Sequence, residues 1–178
     1  MNRRRLLTAI GGLGLTGASA LALGGDLPGA GTDDAGLPIR VETMAARGSS
    51  AGETRVPVAD TPTVIDLFAT WCAPCKAQMD GLSTLHSEYD DRVAFVSVTN
   101  ERVGGTLSRD DIRAWWGRHD GDWTLGLDPA SDLMAALGAS GLPFLAVANE
   151  VGEIRWTHAG VASTDTLRDE IDAALAEA

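Results

Sequence analysis

Cys72 and Cys75 are the only two cysteines in 178 residues, and they lie three positions apart in Trp71-Cys72-Ala73-Pro74-Cys75-Lys76. Two thiols at this spacing suit disulfide exchange. One attacks a disulfide as a thiolate, and the other attacks the resulting mixed disulfide and releases the partner. A disulfide kept for stability gains little from so short a loop: chain entropy gives about 2 kcal/mol, against about 4.7 for a loop of a hundred residues. Half of a zinc site needs further ligands. The three histidines, His86, His119 and His158, are single and scattered. The spacing therefore favours a redox-active pair.

The surrounding sequence places these thiols. Val64 to Ala69 is apolar and rich in β-branched and aromatic residues, broken only by Asp66, which predicts a buried strand. After the cysteines, Met79, Leu82, Leu85 and Tyr89 recur at spacings of three and four, which predicts a helix. Pro74 suits its first turn, where a missing N–H costs nothing. The thiols thus stand where a strand ends and a helix begins. Unpaired N–H groups and the helix dipole would stabilise a thiolate at Cys72 and lower its pKa. Cys75 lies about one turn on, placed to resolve a mixed disulfide.

The run from Trp71 to Lys76 after a buried strand resembles the thioredoxin superfamily. Gly141-Leu142-Pro143-Phe144, opening another apolar stretch, agrees with that resemblance. The resemblance implies a cis Pro143 facing the cysteine pair, with the Leu142 backbone pairing an extended segment of the partner. By itself, X-Pro is the one bond where cis is cheap, although a trans proline starting a strand is the ordinary case. The resemblance also implies that Asp66 is a buried proton acceptor for Cys75. A buried carboxyl has a raised pKa, which suits acid–base work on a thiol; the plain alternative is an acid satisfied locally at a strand edge. Trp71 is expected to pack over the site and shape access to it; the plain reading is a half-buried core aromatic, and the two are compatible.

The rest of the chain supplies a scaffold. Ile39–Met44 and Glu53–Val58 suggest an N-terminal hairpin around Gly48-Ser-Ser-Ala-Gly52, and Arg92–Val98 reads as a strand. Ser108 caps a helix containing Ile112, Trp115 and Trp116; adjacent tryptophans point to different sides, so one is expected in the core and the other at a docking patch. Trp123–Leu127 reads as a strand, and Asp128-Pro129 as the start of a helix ending at Gly138. Phe144–Ala148 and Glu153–Thr157 form a second hairpin, and Ser163 or Thr164 caps a last helix with Leu167, Ile171 and Leu175 on one face. The expected fold is α/β: a thioredoxin-like central mixed sheet flanked by helices. The extra helix and strand near residues 108–127 resemble the TlpA-like subgroup of exported thioredoxin-like reductases, which includes cytochrome c maturation proteins. That likeness covers about residues 54–178. Two departures stand out: many TlpA-like proteins lack an acid at the place of Asp66, and Asp80-Gly81 stands where family members usually carry a helix-kinking proline. The surround of Cys72 does not supply the Thr/Pro-x-x-x-Thr/Ser-x-x-Cys pattern of peroxiredoxin-type peroxidases.

Arg3, Arg4 and Arg5 precede uncharged sequence from Leu6 to Gly25, with small residues at Ala18-Ser19-Ala20. This predicts an export signal over residues 1–22, resembling the twin-arginine class, with an uncleaved membrane anchor as the alternative. Residues 23–38 read as a flexible linker, since 24–38 hold five Gly, three Asp and two Pro. The folded domain is expected over 39–178. Formal net charge is −11, and the single lysine, Lys76, stands against thirteen arginines. An acidic, lysine-poor surface keeps a protein hydrated in concentrated salt, so a salt-adapted setting is expected. The charge gives no support to nucleic-acid binding or to anionic membranes.

These observations predict an extracytoplasmic thiol-disulfide oxidoreductase, with the reducing direction favoured. Cys72, Cys75 and Asp66 would do the chemistry, and Trp71, Ala73, Pro74, Leu142 and Pro143 would meet the partner. No cofactor or metal is required. The expected partners are exported proteins bearing disulfides or dithiols, and a membrane electron donor or acceptor; contact with the membrane itself would be only through the N-terminal anchor. The alternatives are a copper-binding metallochaperone or redox-inert binding module using the same two cysteines, and a peroxiredoxin-type peroxidase.

Overall fold

The computed structural model describes residues 36–177. The expected export signal, and the linker up to residue 35, lie outside the described residues. Seven strands and four helices follow in order: β1 (Ile39–Thr43), β2 (Gly52–Val56), β3 (Thr63–Phe68), α1 (Ala73–Tyr89), β4 (Ala94–Thr99), α2 (Arg109–Arg118), β5 (Thr124–Leu127), α3 (Asp132–Ala136), β6 (Phe144–Ala148), β7 (Ile154–Ala159) and α4 (Thr164–Ala176). One mixed sheet holds all seven strands in the order β2-β1-β5-β4-β3-β6-β7. Strands β3, β4 and β5 are parallel neighbours joined through α1 and α2. The β6–β7 hairpin pairs antiparallel on one side of β3, and the β1–β2 hairpin pairs antiparallel on β5. This is the expected thioredoxin-like α/β fold with its extra helix and strand.

Central strands buried on both faces read as continuous apolar runs, and β3 and β6 are buried at every residue. Side chains alternate across the sheet. Val64 and Phe68 of β3 pack with α1, α2 and α4, whereas Ile65 and Leu67 pack with β1, β2 and α3. Asp66, two positions from both Val64 and Phe68, belongs to the α1 face. In α1, Met79, Leu82, Leu85 and Tyr89 are buried as the spacing predicts. The helix runs without a break across Asp80-Gly81. Gly81 admits a close neighbour: a Cβ there would lie 2.9 Å from the Thr164 hydroxyl at the start of α4.

Three expectations need correction. Trp115 and Trp116 are both buried, so neither forms a docking patch. Trp115 stacks on Phe68 at 4.8 Å between ring centroids, and Trp116 meets Trp123 edge-on while donating its indole N–H to Arg47 O at 3.0 Å. The connection between β1 and β2 covers the second ring, which helix periodicity cannot reveal. Gly121 leaves room for this packing, since a Cβ there would sit 2.2 Å from the Trp116 ring. Second, α3 begins four residues after Asp128 rather than at it. The buried Asp128 carboxylate accepts N–H bonds from Asp132 and Leu133, capping the helix from outside. Third, Trp71 is 72% exposed, which excludes its reading as a half-buried core aromatic. Among the described residues, no helix is long and apolar enough to cross a membrane.

Candidate active site

Cys72 ends the turn after β3 as the N-cap of α1, with φ −80° and ψ 106°. Its sulfur accepts the backbone N–H of Cys75 at 3.2 Å. The cap position is normally filled by an oxygen that satisfies one orphan donor of the first turn; here a thiolate-forming sulfur does so. Cys72 and Cys75 are joined in a disulfide, with Cα atoms 5.3 Å apart. Pro74 lies in the first turn, which contains no acidic residue. The helix dipole and the N–H bond favour negative charge on Cys72 once the disulfide opens. Both cysteines are buried, Cys72 at 3% and Cys75 at 1% exposure, and both pack with the core beneath α1.

Trp71, Ala73 and Pro74 are exposed around the cysteine turn. The Leu142–Pro143 bond is cis; Pro143 is buried, and Leu142 is half-buried and packs against the same core as the cysteines. The Pro143 carbonyl accepts the Gly160 N–H at 2.8 Å, fixing the start of β6 to the end of β7.

Asp66 is 2% exposed. Burial raises its pKa from 3.8 to about 7, against the opposing pull of a hydrogen bond from Ser97. The Ser97 hydroxyl donates to Asp66 Oδ2 at 2.8 Å, while Oδ1 is buried with no hydrogen-bond partner among the described residues. A carboxyl titrating near neutrality can both accept and return a thiol proton. It lies on the sheet face that Cys75 packs against.

The structure adds residues that sequence reasoning missed. Glu101 bridges to the turn before Cys72: its carboxylate accepts the Thr70 N–H at 2.7 Å and the Thr70 hydroxyl at 2.7 Å. Thr99 donates to the same carboxylate at 3.1 Å. This ties the end of β4 to the segment carrying the nucleophile. Gln78, buried in α1, accepts the Ala162 N–H at 2.8 Å and anchors the loop before α4. Ser97 had a legible signal, a hydroxyl inside an otherwise apolar strand; Glu101, in a polar loop, had none.

This geometry agrees with comparisons to known proteins. The chain is 31% identical over 115 residues to thiol:disulfide interchange protein DsbE of Tatumella citrea, covering 62% of this chain and 56% of that protein. It is 25% identical over 109 residues to thioredoxin-like protein YneN of Bacillus subtilis, covering 61% of this chain and 62% of that one. The chain thus spans a little over half the length of these curated relatives. The solved structure of MTB dsbF, in mixed oxidized and reduced forms, superimposes with a TM-score of 0.66 at 18% identity, covering 79% of this chain and 97% of that chain, a likeness of fold. The Redoxin family profile matches residues 39–175, more than half of the sequence, and with its thioredoxin-like sheet and its cysteine pair at the start of α1 the chain belongs to the Redoxin family.

Proposed function

We propose that this protein is a thiol-disulfide oxidoreductase that works outside the cytoplasmic membrane and exchanges disulfides with partner proteins. The observation that carries this reading is the placement of Cys72 as N-cap of α1, bonded to Cys75, with the Cys75 N–H on its sulfur. In the reducing direction, the Cys72 thiolate attacks a partner disulfide and forms a mixed disulfide, releasing one partner sulfur as a thiolate. Cys75 then gives up its proton to Asp66 and attacks Cys72 Sγ. The Cys72–Cys75 bond forms, and the second partner sulfur leaves with the electron pair. Trp71, Ala73, Pro74, Leu142 and Pro143 frame the partner segment, and Trp71 offers a large exposed apolar surface beside the nucleophile. No cofactor takes part in this exchange.

Export rests on residues 1–22, with 23–38 as linker and 39–178 as the catalytic domain; an uncleaved anchor would keep the domain at the membrane near an electron donor. The acidic, lysine-poor composition supports work in concentrated salt.

The test uses the full chain at high salt, with a disulfide-bonded protein as substrate. The wild type should turn over, Cys72→Ser should not, and Cys75→Ser should accumulate a mixed disulfide. A reduction potential near −270 mV would assign a reductant, and one near −120 mV an oxidant. Absence of a reversible Cys72–Cys75 disulfide, with copper retained through mild chelation, would replace this reading with the copper-binding one.

A further inference from the structure

Strand register pairs Asp66 on β3 with Ser97 on β4, so the two side chains lie side by side on the α1 face. Both are buried, at 2% and 0% exposure, and Trp123, just before β5, is 3% exposed. Ser97 Oγ makes two hydrogen bonds: it donates to Asp66 Oδ2 at 2.8 Å and receives the Trp123 Nε1–H at 2.9 Å. An indole nitrogen can only donate. With Trp123 supplying a proton to Ser97 Oγ, the single hydroxyl hydrogen of Ser97 is left for Asp66. The chain of donors runs one way, from Trp123 through Ser97 to the carboxylate.

We propose that Ser97 and Trp123 form a directional hydrogen-bond relay that controls when Asp66 accepts the proton of Cys75, with Oδ2 held by Ser97 and Oδ1 as the accepting atom. The proposal rests on the oxidoreductase reading and adds two positioning residues to it. In the resolving step, the Cys75 S–H bond breaks and its proton goes to Asp66 Oδ1. The Cys75 sulfur bonds to Cys72 Sγ, and the partner sulfur departs with the electron pair of the broken S–S bond. A donor fixed on Oδ2 stabilises the carboxylate, so it keeps Asp66 able to accept a proton near neutral pH despite full burial. Without the relay, the acid would stay protonated to higher pH and the step would slow.

No charged side chain shares this work among the described residues. Asp66 has Ser97 as its hydrogen-bond partner and no ion pair. From α1, the titratable groups toward this face are Cys72, Cys75, His86 and Tyr89; the His86 ring lies against Trp123 at 5.3 Å, and the Tyr89 hydroxyl donates to Asp172 of α4 at 2.7 Å. At the C-cap of α2 there is His119, its ring tilted against Trp115 at 4.7 Å. The buried side chains of α4 are Leu167, Ile171 and Ala174, and β6 places Leu145 opposite Asp66.

The experiment follows the Asp66 carboxyl carbon by NMR against pH in the full reduced chain, which separates its titration from that of His86. In parallel, the pH profile of mixed-disulfide resolution is measured. Ser97→Ala should move both midpoints upward by about one to two pH units, the size of one charge-assisted hydrogen bond. Trp123→Phe should move them less, in the same direction, because the hydroxyl is then free to turn. The double variant should shift no further than Ser97→Ala alone, and Ser97→Thr, which keeps the hydroxyl, should restore the wild-type midpoint. An Asp66 midpoint unmoved in both single variants, or a downward shift, would overturn the relay. The carboxyl titration needs no turnover. Failure of the wild type to exchange disulfides would count against the proposed function, while the titration still decides the relay.

Discussion

The two faces of the central sheet are built from the same strands and differ sharply in content. The face packed against α3 holds Val41, Val56, Ile65, Leu67, Val96, Val98, Leu133, Phe144 and Ala146, aliphatic apart from one ring. The face covered by α1, α2 and α4 holds both cysteines, Phe68, Phe95, Trp115, Trp116 and Trp123, together with the buried Asp66, Ser97 and Gln78. Strand β3 contributes to both. Its odd positions, Ile65 and Leu67, serve packing, and its even positions include the acid. Large rigid rings exclude water around a carboxyl whose use depends on being dry. The same dryness makes that carboxyl costly once ionised. One face stabilises the protein, and the other gives up stability for chemistry.

The largest test of this contrast is Asp66→Asn. Folding raises the Asp66 pKa from 3.8 to about 7, so the folded state holds this proton more tightly than the unfolded one. Its contribution to stability is therefore greatest below the ordinary carboxylate range and is lost as pH rises through about 7. Removing the charge should stabilise the protein at pH 8 by up to about 4 kcal/mol and leave it nearly unchanged at acidic pH. Denaturant unfolding at the two pH values checks this, and equal effects at both would break the comparison. The variant should also resolve mixed disulfides slowly.

On the opposite face, Leu67→Ala should cost about 3 kcal/mol at any pH, the ordinary result of a cavity in a packed core. The pH profile of exchange should keep its midpoint. A shifted midpoint would mean that the plain face also tunes the site.

At the rim between the faces, Glu101→Ala removes the acceptor for Thr70 and Thr99 and should cost about 2 kcal/mol, the scale of hydrogen bonds to a carboxylate. Exchange should slow through loosened placement of Cys72, with its pH midpoint unchanged. A loss of stability with full activity would reduce Glu101 to a plain structural brace.

Short-range pattern sufficed for much of this. The strand before the cysteines, the four buried positions of α1, the Ser108 cap, a cap at Ser163 or Thr164 (the structure has Ser163) and both hairpins follow from periodicity and turn chemistry within a few residues. Where local signals misled, a distant segment had intervened. Trp116 is buried because the chain near Arg47 covers it, and α3 starts late because Asp128 caps it from outside.

The sequence by itself determined the chemistry on offer: two thiols a helical turn apart at a strand–helix junction, an acid inside an apolar strand, and a proline opening another. These are local, because backbone propensity and side-chain spacing act over one or two turns. Only the tertiary structure decided the company those groups keep. Ser97 is 31 residues from Asp66, Trp123 a further 26 from Ser97, and Glu101 31 from Thr70. Such pairs are selected by strand register and by the packing of crossover helices. Burial makes each unmet hydrogen bond costly, so the folded arrangement, and no local preference, chooses the partner.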